Sequence, residues 1–138
     1  MMNIFQNIKS QWILRISLGI MYLYSGFNLF LYPTAWQWAL PYWLRQIIML
    51  FISVNSYLKF QGIVEIAMAA LLLLWFFKPE IVRWVALLST LEMAVIIILA
   101  FFPFSETNFL ITFRDIGILG ASLALFSILS DKHYYGNT

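Results

Sequence analysis

The sequence contains no cysteine and a single histidine, His133, in 138 residues. Without thiols there is no thiol–disulfide relay, no thiolate metal site, no Fe–S cluster and no palmitoylation. One histidine near the polar C-terminal end excludes a haem held by two histidines, or a histidine-based metal site, within this chain. Charge is also scarce: 10% of residues are Asp, Glu, Lys or Arg, against roughly 25% in a soluble domain. The formal net charge is +2 with no run of Lys or Arg. Nothing in the chain is therefore built to neutralise a row of phosphates, which argues against a nucleic-acid partner. Gly-rich phosphate loops, nucleophile elbows and zincin patterns are missing as well, so no catalytic residue and no metal ligand is assigned.

What the chain has instead is apolar surface. Apolar residues make up 63%, aromatic residues 19%, and the mean hydropathy is +0.87. This is neither a soluble globule nor a disordered chain. A membrane-spanning helix needs about 20 residues, and the pattern predicts four, over 12–32, 57–77, 81–102 and 106–129. The first stretch ends at Pro33, is too long for a signal-peptide core and is interrupted by Arg15, so it reads as a retained span. The turn Lys78-Pro79-Glu80 is so short that the second and third spans must form an antiparallel hairpin. Pro103 ends the third span; Ser105 is the expected N-cap of the fourth, with Glu106 in its first turn. Between the first two spans lie Trp36, Trp38, Tyr42, Trp43 and the run Ile47–Ile52. That run is too short to cross a bilayer, and Trp and Tyr favour its boundary. An interfacial or re-entrant helix is expected over 42–54, either a cap on one end of the bundle or a gate. The predicted fold class is all-α: an integral membrane antiparallel four-helix bundle with a short interfacial segment after the first span, a single transmembrane domain over 1–138. Lys9, Arg15, Lys78, Arg83 and Lys132 fall on one side and Arg45, Lys59 and Arg114 on the other. The positive-inside rule then places the termini in the cytoplasm, with the inner cell membrane as the site.

The ionisable residues inside the spans point to chemistry. Glu65 lies eight residues from the Tyr57 end and Glu92 ten from the Phe102 end. Arg114 and Asp115 lie eight and nine residues after Glu106. At 1.5 Å per residue these depths are about 12, 15 and 12–14 Å. Because alternate spans run antiparallel, all are measured from the same face. Asn28, near the same end of the first span, is a further candidate. Each charge costs about 2.5–3.5 kcal/mol to insert, so several together imply either mutual pairing that fixes helix register or a site for a polar, quinone-like or protonic ligand. Arg15 lies near the opposite face, where it is expected to snorkel. Arg15, Gly19, Tyr22 and Gly26 share one helix face, as do Gly117, Ala121 and Ala124 with Gly120 beside them. Both stripes are expected to be packing seams.

The combination of Arg15-x-x-x-Gly19 with Gly26 downstream, Gly62-x-x-Glu65, and Asn108 before Arg114-Asp115-x-Gly117 resembles the DoxX-like family of small four-helix membrane proteins. The motifs span about Ile13 to Leu129. Family members often carry a lysine shortly after the first-span glycine; here Phe27 and Asn28 follow Gly26. The resemblance implies a non-catalytic membrane subunit or anchor of an oxidoreductase system, with quinone as the expected lipid-soluble ligand and Glu65, Arg114 and Asp115 as site residues. Two other readings stand beside it: a small transporter or proton-coupled carrier, which needs a homo-oligomer, and a structural or assembly factor.

Overall fold

The computed structural model describes residues 10–100 and 109–131, and of residues 100 and 109–114 it describes the backbone helix only. The described chain is all-helical, with no strand. Helix α1 covers Ser10–Leu31; a 3-10 helix covers Pro33–Ala39; α2 covers Tyr42–Met49, α3 Val54–Leu73, α4 Pro79–Ala100 and α5 Phe109–Ser130. Three of these, Ser10–Leu31, Val54–Leu73 and Pro79–Leu99, are long and apolar enough to cross a membrane. In α5, Asp115–Ser130 forms a shorter apolar stretch among the described residues.

Local chemistry moves several boundaries from those read off hydropathy. Helix α3 begins three residues early because Ser53 caps it, its Oγ accepting from the Ser56 N–H at 3.1 Å. It ends at Leu73 rather than Phe77, so the turn to α4 is longer than the Lys78-Pro79-Glu80 tripeptide. Pro79 occupies the first turn of α4, where a missing N–H costs nothing, and the Lys78 carbonyl accepts from Ile81 at 3.0 Å. The interfacial helix expected over 42–54 is shorter, the eight-residue α2 ending at Met49, and a separate 3-10 helix lies between it and α1. The expected cap at Ser105 and Glu106 lies outside the described residues.

Helix α1 packs antiparallel on α3: Gly26 meets Gly62, Gly19 meets Leu73, and Arg15 reaches Leu72 and Leu74. Helix α4 packs on α5, with Thr90 Oγ1 3.2 Å from Ser122 Oγ. Packing between these two pairs is sparser. A main core of Leu18, Tyr22, Met68, Leu72, Val82 and Leu125 joins them. The outside carries large apolar side chains, among them Ile20, Phe27, Phe60, Trp84, Leu91 and Ile98, while Arg15, Glu65, Ser89, Asp115 and Ser122 are buried. Large apolar side chains outside, with the few polar groups of the helices turned inward, is the distribution that lipid favours.

Arg15 does not snorkel. It is 4% exposed, and its guanidinium donates from Nε to the Leu72 carbonyl at 2.9 Å and from Nη2 to the Leu74 carbonyl at 3.0 Å. The last carbonyls of a helix have no partner within it and carry partial negative charge. A cation from the neighbouring helix supplies both needs, and Trp12 covers it at 4.1 Å. The α5 stripe also departs from expectation. A Cβ at Gly117 or Gly120 would meet nothing within 4 Å, so neither glycine packs against a helix among the described residues.

Candidate functional site: an acidic cavity between two helix pairs

The sparse packing between the α1–α3 and α4–α5 pairs leaves a cavity of about 910 Å³. Glu65 from α3, Glu92 from α4 and Asp115 from α5 all line it. Three acids far apart in sequence thus share one space. With the observed helix ends, they lie about 16, 12 and 9 Å from the ends of their helices on that side. Glu65 and Asp115 are buried at 5% and 2% exposure. Glu92 Oε1 accepts a short hydrogen bond from the Gln61 side-chain amide, one turn before Glu65 on α3. Glu92 Oε2 is buried, and the Tyr22 hydroxyl on α1 also interacts with this carboxyl. The carboxyls share walls rather than converge on a point: among the described residues no group of three ligating side chains is arranged to hold a metal ion.

No family model, curated protein or solved structure matches this chain. What the site can do is therefore read from its own residues.

Above the acids, Tyr22 on α1 and Ser89 on α4 bond through their hydroxyls at 2.5 Å, both fully buried. With Gln61–Glu92, this bond ties the two helix pairs together beside the cavity. The opposite end is covered by the 3-10 helix and α2. Trp36, Leu40 and Leu44 pack on a second apolar cluster of Leu29, Ile48, Val54 and Leu58, and Gln37 Nε2 donates to Asn55 Oδ1 at 2.7 Å. These contacts hold the 3-10 helix and α2 against the ends of α1 and α3. Trp36, Trp38, Tyr42 and Arg45 of the cap line the cavity. Of the described lining residues, Arg45 alone carries positive charge; its guanidinium lies 5.9 Å from the Tyr42 ring centre, and its buried Nε has no hydrogen-bond partner among the described residues.

Of the residues predicted from sequence, Glu65, Glu92 and Asp115 come together. Asn28 does not line the cavity: its amide donates to the Tyr24 carbonyl of its own helix at 2.9 Å. The Arg114 side chain lies outside the described residues. Sequence reasoning missed Gln61, although its four-residue spacing from Glu65 puts both on one helix face. It also treated Arg45 only as a charge on one side of the membrane, and Tyr22 only as part of a seam.

Proposed function

We propose that the chain is a four-span protein of the inner cell membrane, with α5 as the fourth span and cytoplasmic termini, and that its cavity holds a lipid-soluble ligand. Its role in this reading is that of a non-catalytic membrane subunit or anchor. The observation that carries it is the meeting of Glu65, Glu92 and Asp115 on one cavity of about 910 Å³. Ligand pockets are commonly about 300–1,000 Å³. Acids on three helices are costly to keep in lipid unless they are paired or serve a ligand.

The resemblance to DoxX-like proteins puts an oxidoreductase first among partners and a quinone first among ligands. Purification from native membranes in mild detergent, with mass spectrometry of extracted lipids and co-purifying proteins, tests this. A stoichiometric lipid-soluble molecule supports the ligand site, and a redox enzyme in the same fraction supports the subunit role. An empty cavity in a protein that travels alone sinks both.

A small oligomeric carrier is the second reading. The outward-facing Gly117 and Gly120 favour it, because glycines on a lipid-facing surface allow close approach of another helix. A protein strictly monomeric in nanodiscs counts against it.

A further inference from the structure

We propose that the cavity seats an anionic phospholipid, with its phosphate on Arg45 at the mouth and an acyl chain along the open side of α4. This ligand class rests on the reading of the cavity as a ligand site and narrows it.

The mouth supplies the head-group site. Arg45 lines it from the short helix α2, and its buried Nε has no hydrogen-bond partner among the described residues. The Tyr42 ring lies 5.9 Å from the guanidinium, which engages its charge but leaves the Nε–H still to be met. A buried donor without an acceptor is costly. The planar guanidinium fork matches a phosphate, which accepts from it and pairs its charge at once.

Level in the bilayer selects the source of that phosphate. Trp36, Trp38 and Tyr42 line the same mouth, and Trp38 and Tyr42 remain exposed. Indole and phenol rings settle at the head-group level of a membrane. The phosphate found there is that of a lipid. The acids do not oppose it, because they lie about 9–16 Å inside their helix ends. They are also engaged within the protein: Gln61 and Tyr22 with Glu92, and Glu65 and Asp115 with partners of their own.

Helix α4 supplies the path for the chain. Leu88, Leu91 and Val95 line the cavity and are nevertheless exposed. Side chains that do both mark a side on which the cavity opens outward. Because α4 is long and apolar enough to span, that side faces lipid. The three residues recur at intervals of three and four, so they form one face of the helix. From Leu88 to Leu99, which also lines the cavity, that face rises about 16 Å toward the capped end. An acyl chain hanging from a phosphate at the cap runs down it. A zwitterionic head fits less well, since its ammonium group brings a second cation beside Arg45.

The probes are dioleoyl phosphatidylglycerol and, as the zwitterionic comparator, dioleoyl phosphatidylcholine. Each is titrated into the full chain in detergent, and bound lipid is counted by native mass spectrometry. One phosphatidylglycerol, held about tenfold tighter than phosphatidylcholine, is expected. Arg45→Gln should erase that preference. Arg83→Gln, which removes a cation over the Trp84 ring away from the cavity lining, should keep it. Leu91→Trp, which crowds the open side, should weaken both lipids severalfold. If Arg45→Gln does not fold, as judged by gel filtration, Arg45→Lys serves in its place, with a severalfold loss of preference for want of the fork. Equal affinity for the two lipids, a preference unchanged in the folded Arg45 variant, or an equal loss in Arg83→Gln overturns the proposal. Lipid affinity untouched by Leu91→Trp overturns the α4 path, and displacement of the lipid by excess inorganic phosphate overturns the lipid as the source. Saturable binding of a short-chain benzoquinone, with no preference for phosphatidylglycerol, overturns the phospholipid and leaves the ligand site standing. If neither lipid nor quinone binds and no native ligand co-purifies, both readings fall.

Discussion

Gly26 on α1 and Gly62 on α3 face each other where the two helices cross, so close that each stands against the other's backbone. A Cβ on Gly26 would lie 2.7 Å from the Gly62 carbonyl oxygen, and a Cβ on Gly62 would lie 2.6 Å from the Gly26 carbonyl oxygen. Backbone atoms cannot step aside as a side chain can, so the pair sets the separation of the helices that carry Tyr22 and Glu65.

Alanine at either position is expected to force α1 and α3 apart, at about 1–3 kcal/mol, the usual cost of overpacking. Gly19→Ala should cost less, because its Cβ meets the Leu73 side chain, 2.5 Å away at Cγ. Gly120→Ala meets open space and should be neutral or slightly stabilising. Thermal unfolding of the purified variants in one detergent gives the ranking. Equal losses at Gly26 and Gly120 would show that the crossing is not tight.

Arg15→Leu is expected to lower stability by about 1–3 kcal/mol, because the Leu72 and Leu74 carbonyls lose their donor. Arg15→Lys should recover only part of this, since one ammonium group lacks the fork that reaches both oxygens. Hydrogen exchange should show faster opening of the last turn of α3 in both variants, with the Glu65 region unchanged. Rescue of Arg15→Leu by Glu92→Gln would contradict the assignment of Arg15 to the helix end.

Tyr22→Phe strips a fully buried Ser89 hydroxyl of its cross-helix partner. The expected loss is about 0.5–2 kcal/mol, small because side-chain hydrogen bonds within membranes are individually modest. Tyr22→Phe combined with Ser89→Ala should be no less stable than Tyr22→Phe alone, because the orphaned hydroxyl is gone. A double-mutant cycle with zero coupling would deny the bond its role in joining the helix pairs.

Arg114→Leu tests whether that arginine shares the acids' cavity. Removing one member of a buried ionic set costs about 3–5 kcal/mol, and the expected companion result is partial rescue by Glu65→Gln or Glu92→Gln. A loss no greater than that of Arg15→Leu, without rescue, would place Arg114 outside the acidic cavity.

The natural absence of cysteine makes topology directly testable. Single cysteines at Phe76, in the turn between α3 and α4, and at Asp131, after α5, are probed with a membrane-impermeant maleimide in oriented vesicles. Four spans put both on the side of the N-terminus. Labelling from opposite sides would show that α5 does not cross.

The sequence by itself determined that this chain is helical and suited to a membrane. Its apolar runs are long, its charges few, and backbone groups in lipid must be satisfied within the helix, so composition alone leaves few options. It also placed Glu65, Glu92 and Asp115 at comparable depth, because helical rise converts residue counts into distance. Only the tertiary structure decided which of these groups meet. Depth along an axis says nothing of rotation about it, and so Asn28, at a suitable level, turns to its own helix while Gln61 turns to Glu92. Arg15 looked like a residue reaching for the interface because its partners, the end carbonyls of α3, are 57 and 59 positions away. Helix ends depend on caps such as Ser53 rather than on hydropathy, which is why α3 starts and stops earlier than its apolar run suggests. The cavity has no signature in sequence at all. It exists because α1 closes on α3 and α4 on α5 more tightly than the two pairs close on each other, and that difference is a property of packed surfaces rather than of any one segment.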